Sequence, residues 1–497
     1  MASSCISLKC REHDAGDKAL IKSLNNLEAG QASFSRPPTM RTACGSVIIQ
    51  HFAIKSPFFM SLGASRLKRR ILVVVLGLGS SLSFVACGSY SKTGPPSGLT
   101  NRVLASQSVT STFSFGGLVL INGIYDTVPR AAPLSAGNSP GLMVVSPTLN
   151  IAAAFDANTN SVYAIDTTKE AGIGNVRLPG PTSSMVFPTA TGIGYAAIPT
   201  ATVNGFSLLG AVDEMNFQAG QLTTIAVANA QTVISNAGGS QLLAFSNDSN
   251  SIAVLTPSAA VPPVDLSCYS GTPNPVCTMV PGFDRPVYGI INGNTAYILN
   301  CGPQCGGVMA SVMVFDLPSL TITNTIPVDA ATWALLNGST LYVAGTSPTN
   351  NACTGQTTAA TTCGRLDIVD LTSNTVTGSI VITDGYHDRM DLNVVGQLFI
   401  GSKDCTNIGN VGNPVGEVRG CLSIFHTADN SVVIPPDNGD VNGLQGFTTR
   451  TVEYVAEGGA LRVYDTTQDI LLINDYIPQG TVGIIGYVGD VKAIDFF

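Results

Sequence analysis

From about Thr112 onward the apolar residues come in short runs broken by Gly, Pro, Asn and Asp. One stretch shows the pattern. Ser139-Pro-Gly-Leu-Met-Val-Val-Ser-Pro is followed by Ile151-Ala-Ala-Ala-Phe-Asp and Ser161-Val-Tyr-Ala-Ile-Asp-Thr, with a last run near Val176. Short runs rich in β-branched and aromatic residues, bounded by turn formers, predict strands. No long segment keeps the 3.6-residue period of a helix. The unit therefore reads as four strands, a to d.

The unit recurs. Its most repetitive feature is the end of strand c, an apolar residue before Asp and then Thr or Leu. It occurs at Tyr125-Asp126-Thr127, Ile165-Asp166-Thr167, Phe315-Asp316-Leu317, Val369-Asp370-Leu371 and Tyr464-Asp465-Thr466. Weaker versions stand at Val212-Asp213, Leu255-Thr256 and Phe425-His426-Thr427. A carboxylate there can accept backbone N–H groups two residues on and close the c–d turn, so the series reads as structural. Eight markers between Asp126 and Asp465 give a mean spacing of about 48 residues, the period of a β-propeller. The expected fold is an all-β propeller of eight four-stranded blades, with seven as the alternative. One blade is shared by the termini, with strands c and d near Asp126 and two strands from Val482-Gly-Ile-Ile-Gly-Tyr and Asp490-Val-Lys-Ala-Ile-Asp.

Strand b often opens with a Tyr-apolar pair, at Tyr297-Ile-Leu-Asn, Tyr342-Val-Ala-Gly and Tyr454-Val-Ala-Glu. With the Ser139–Lys169 repeat, these residues resemble the YVTN-type β-propeller repeat of secreted bacterial proteins. The literal Tyr-Val-Thr-Asn string is absent. The resemblance covers residues 112–497. It implies an architecture and carries over no catalytic residue.

The segment before the repeats has a different character. Arg66, Lys68, Arg69 and Arg70 precede the apolar run Ile71-Leu-Val-Val-Val-Leu-Gly-Leu-Gly, which continues to Val85-Ala86-Cys87-Gly88. A basic stretch, a short apolar core and small residues form a secretory signal. Cys after Val-Ala resembles a bacterial lipobox, in which that Cys is acylated and becomes the first mature residue; Phe84 departs from the usual Leu. The alternative is an uncleaved anchor, but Ile71 to Cys87 is short for a span. Met60 suits a signal start. Residues 1–59 are thus expected to be an over-extended start, 60–86 a lipoprotein signal, 87–111 a lipidated Cys87 with a flexible tether, and 112–497 the propeller. Gly88 after the lipid Cys points to the outer membrane, with the periplasmic and surface leaflets both open.

Composition sharpens this. Only 11% of residues are charged, and Gly and Pro number 52 and 28, which excludes coiled coils and charge-rich disordered chains. Residues 1–86 carry 11 of the 24 basic and 4 of the 32 acidic side chains, leaving 13 and 28, a net charge of −15. Such a chain repels nucleic acid, so no nucleic-acid partner is expected. Besides Cys87, eight cysteines follow the signal, as neighbours Cys268/Cys277, Cys301/Cys305, Cys353/Cys363 and Cys405/Cys421. Local pairing is the simplest of many connectivities. Disulfides would place the chain outside the cytoplasm.

In an antiparallel blade the a–b and c–d turns share one face, and the b–c loops and d–a crossings share the other. Three of the Cys pairs fall in b–c loops. Cys268/Cys277 falls in a c–d connection, on the opposite face. Stapled b–c loops suggest a binding surface for a protein or glycan, because ordered loops lose less entropy on binding; simple stapling of long insertions is the alternative. On the same face Asp384-Gly-Tyr386-His387-Asp388-Arg389-Met-Asp391 reads as a d–a crossing near the channel. Tyr386, His387, Asp388 and Arg389 are weak candidates for a catalytic group, with His387 as general base, in a lactonase or other hydrolase. That is the alternative to a binding module.

Other motifs carry less. Gly137-Asn-Ser139-Pro-Gly141 matches G-x-S-x-G but lacks a following helix. Cys301-Gly-Pro-Gln-Cys305 has three residues between its cysteines, not the two of a redox loop. Asp156-Ala-Asn158-Thr-Asn160 and Asp437-Asn-Gly-Asp440 lack the remaining calcium ligands. No metal or cofactor is expected.

Overall fold

The computed structural model describes residues 95–111, 114–189, 191–269, 274–347, 363–405, 420–436 and 439–496. Cys87, the signal, residues 1–59, Asp437 and Cys353 with the side chain of Cys363 lie outside the described residues.

Eight innermost strands stand around one axis. They are Pro140–Val145, Ser184–Val186, Thr232–Ser235, Pro286–Asn292, Trp333–Asn337, Tyr386–Leu392, Val441–Gly446 and Tyr487–Ala493. Each begins a blade, numbered one to eight here. In blades one to seven, three more strands pair antiparallel outward from the first. The fold is an eight-bladed propeller, so the seven-bladed alternative falls. Blade two is enlarged. Its outer strand Gln221–Ala226 takes a parallel partner, Val264–Asp265, from the c–d connection of blade three, and its b–c loop carries the hairpin Ala201–Val203 and Phe206–Leu208.

The core lies between blades. A half-exposed sheet cannot hide both its faces, and stacking around a ring hides them. Ile151, Phe155 and Val162 of blade one pack on Met185, Ile198 and Met215 of blade two, for example. Similar clusters follow around the ring.

Blade eight combines both termini, but not in the expected proportions. The C-terminus supplies one strand, Tyr487–Ala493, at the axis. The N-terminus supplies Arg102–Ser108 beside it and then Gly117–Asn122. A lone bridge, Leu118 to Leu134, stands in the fourth place. The tether boundary is therefore corrected, since residues 102–108 are the buried second strand of this blade. Their Val-Leu-Ala core is short and sits between polar residues, which hid it in a Ser- and Gln-rich passage.

The turn aspartates perform the expected role in four blades. Asp166, Asp316, Asp370 and Asp465 each accept a backbone N–H two or three residues on. Asp213 does not. It is wholly buried inside strand Ala211–Asn216. The turn residue of blade two is Asn216, whose side chain accepts from the Ala219 N–H. Asp126 instead receives Arg450 at 2.7 and 3.0 Å across to blade seven.

Candidate functional site

The inner strands enclose a channel cavity of about 640 Å³. Its two sides differ. Leu142, Val186, Ile234 and Ile290 make an apolar wall, while Asp388, Arg389, Lys403, Asp490 and Lys492 make a charged one.

Segment 384–391 builds much of the charged wall, as a strand. Tyr386–Leu392 is the innermost strand of blade six, with only Asp384 and Gly385 left in the crossing. Tyr386 pairs with Lys403, and the register shifts between His387 and Arg389. Such a bulge re-aims side chains. Here both Asp388 and Arg389 line the channel. Asp388 receives Lys403 at 2.6 Å and lies 3.5 Å from Arg389. The Arg389 Nε donates to the Asn442 carbonyl at 2.9 Å. Burial, then the neighbouring Asp388 charge, pushes the Tyr386 phenol up to about 12, so it stays a neutral donor.

His387 is the exception. It has no exposed surface, and its Nε2 lies 3.0 Å from the Thr383 carbonyl, facing away from the channel. A carbonyl only accepts, so the ring donates there. Burial lowers its pKa to about 4, and the ring is neutral at neutral pH. The expected general base is thus a core residue. The strand's alternation placed Tyr386 and His387 on opposite sides, which a loop reading could not foresee.

Sequence reasoning missed the aromatic part of the mouth. Tyr288 of blade four and Trp333 of blade five stack with ring centroids 3.8 Å apart and planes 17° apart. Trp333 is the chain's one tryptophan and opens an inner strand. That combination was the available signal. Burial raises the Tyr288 phenol to about 12, against the opposing pull of Arg389. Behind the charged wall, burial and then Asp391 push the enclosed Glu453 carboxyl well above its ordinary range.

The staples stand on this face. Cys301–Cys305 and Cys405–Cys421 are bonded, both between strands b and c. Cys268–Cys277 is bonded at the other end of its blade, where Cys277 pairs with Leu255 at the c–d turn. The loop of Cys301–Cys305 also reaches across blades. The Gln304 side-chain Oε1 accepts from the Thr346 N–H at 2.8 Å, and the Thr346 hydroxyl donates to the Gly385 backbone carbonyl at 2.8 Å. Gly385, at φ 97°, sits against strand b of its own blade, where a Cβ would lie 2.3 Å from the Lys403 carbonyl. Three blades are thereby braced at the rim, next to Tyr386. Of the remaining candidates, Ser139 begins blade one with its N–H on Asp156 at 2.8 Å. His426 ends its strand and meets Asp469 at 2.6 Å.

No family model matches the chain, and no curated protein matches it. Solved structures do. Dihydro-heme d1 dehydrogenase NirN in complex with DHE aligns with a TM-score of 0.52 at 11% identity, over 76% of this chain and 74% of that one. Hydrazine synthase of Kuenenia stuttgartiensis aligns at 0.42 and 15% identity, over 64% and 87%. A eukaryotic initiation factor also aligns at 0.42 and 14% identity, over 76% and 84%. At such identity the first likeness bears on fold alone, and it agrees with a propeller. The other two are too distant to argue from.

Proposed function

We propose that this chain is an extracytoplasmic propeller lipoprotein of the YVTN type, anchored through Cys87, that binds a protein or glycan at its stapled face. Three bonded cysteine pairs fit an oxidising compartment. Among the described residues no helix is long and apolar enough to cross a membrane. The observation that carries the binding role is the rigid rim. The Cys301–Cys305 loop is locked by Gln304 and Thr346 beside a mouth holding the Tyr288–Trp333 stack, Tyr386, Arg389 and Lys403. A flat aromatic platform flanked by fixed donors takes a sugar ring or an aromatic side chain. The hydrolase alternative loses its base, because His387 faces the core.

Two measurements test this. Intact mass of the membrane-extracted protein should begin at an acylated Cys87 and show eight thiols released only on reduction. Photo-crosslinkers placed at the exposed Val308 of the stapled face and at Ala219 of the opposite face should differ, with protein or glycan adducts from Val308 alone. Equal adducts from both positions would sink the stapled face as the binding surface.

A further inference from the structure

We infer that the face opposite the staples rests on a lipid surface. This rests on the reading of Cys87 as the lipid site. The described chain starts on that opposite face. The Ser97 N–H and hydroxyl both bind Glu170, at 2.7 and 2.6 Å, in the c–d turn of blade one. The Gly123 N–H then binds the Asn101 carbonyl at the c–d turn of blade eight. From Cys87 to Ser97 the chain can span at most about 35 Å. An acyl chain on Cys87 therefore holds this face, rather than the stapled one, toward the bilayer.

The surface there suits that placement. Tyr125, in the c–d turn of blade eight, and Tyr476, in a loop at the outer edge of blade seven, meet with ring centroids 5.3 Å apart. They remain 49% and 57% exposed, and Ile473 nearby is 67% exposed. Ile124, Ile470 at the c–d turn of blade seven, and Val394 and Val395 at the a–b turn of blade six extend the exposed apolar surface. These residues fall on three consecutive blades, beside the point where the tether arrives. The stapled face also exposes large apolar residues, Phe206 and Leu209 on blade two, Val308 and Met309 on blade four, and Ile485 and Tyr487 at the entry to blade eight, but these are spread around the ring rather than along three consecutive blades. Isolated apolar residues are ordinary, whereas a grouped set marks an interaction surface. Tyrosine, with an apolar ring and a polar tip, is enriched at the level of lipid headgroups. The chain's net charge of −15 after the signal fits a zwitterionic surface better than an anionic one.

The test uses the mature protein in phosphatidylcholine vesicles that carry bromine near the headgroup. Trp333, at the stapled mouth, reports one face in the native protein. Tyr476→Trp in a Trp333→Phe background reports the other, with circular dichroism confirming its fold. Tyr476→Trp fluorescence should fall by about half while Trp333 loses no more than about a tenth, as burial into the interface on one side demands. Adding Ile473→Asp and Tyr125→Ser should reverse most of that loss. An acylated protein that floats with the vesicles, yet shows equal quenching of both probes or none, overturns the orientation and leaves the anchor standing. An unacylated mass overturns the anchor and the orientation together.

Discussion

Two regions of this propeller are held shut by opposite means. In blades four and six, long b–c loops are closed by bonds between cysteines 4 and 16 residues apart. In blade eight, strands from the two ends of the chain are closed by side chains. Arg102 is almost fully buried. It donates to Asp495 at 2.9 and 2.6 Å and to Glu170 at 3.0 Å, the first of these across 393 residues. Asp490 accepts the Met143 N–H at 2.8 Å, joining blades eight and one. Arg450 and the Tyr454 hydroxyl both reach Asp126, joining blades seven and eight. Covalent bonds here stiffen loops, while the ring itself depends on buried charge. A small loop is cheap to close without help, and a very long one is not. The stronger bond type serves the presentation of loops, and ring closure relies on many weaker contacts acting together.

The predictions follow that contrast. Removing Tyr487–Phe497 takes away the inner strand of blade eight and leaves both neighbouring blades open. The chain should then lose cooperative unfolding altogether, seen as a broad calorimetric transition and rapid proteolysis. Arg102→Ala leaves Asp495 and Glu170 facing each other without their cation. It should destabilise by about 3–5 kcal/mol in denaturant titrations, with cleavage appearing first in residues of blade eight.

Asp213 gives an interior reference that belongs to neither region. Burial raises its carboxyl to about 7, offset only in part by the neighbouring Thr224 side chain. The folded state therefore holds the proton more tightly than the unfolded chain does. Its contribution is fully present below about pH 4 and is lost as pH rises through about 7, a change on the order of 4 kcal/mol. Asp367, raised to about 6 chiefly by burial, adds in the same direction. Midpoints measured from pH 4 to 8 should fall, and Asp213→Asn should flatten the slope. An unchanged slope in that variant would remove Asp213 as its source.

The cysteines should give the smaller effects. Replacing Cys405 and Cys421 by Ser should cost about 3 kcal/mol, and Cys301 with Cys305 about 2, on loop-closure grounds. Both pairs should unfold in one step, with blade eight as resistant to protease as before. Early cleavage of blade eight in either variant would break the contrast between loop and ring.

Much of this was legible in the sequence, for identifiable reasons. The turn at the end of strand c needs a side-chain acceptor, so Asp166, Asp316, Asp370 and Asp465 recur in register and reveal the repeat. The same cue misled at Asp213, because a chemically similar Asn216 performs the turn three residues later. The sharing of blade eight was legible, but its division was not. Which end supplies a strand depends on pairing between residues such as Ala105 and Val491, and local composition is silent on that. The site was half visible. A polar cluster drew attention to residues 384–391, yet the strand pleat decided that Asp388 and Arg389 face the channel and His387 does not. The Tyr288–Trp333 stack joins two blades, so no local pattern contains it.

The division of blade eight also orders events in time. A chain made from its N-terminus completes Arg102–Ser108 and Gly117–Asn122 before any other described strand. That hairpin then keeps an open edge until Tyr487–Ala493 arrives at the far end of the polypeptide. An unpaired edge invites pairing with a neighbouring molecule. The interval between the first strands and the last is thus a period of exposure for this protein, and it ends only when the last strand docks.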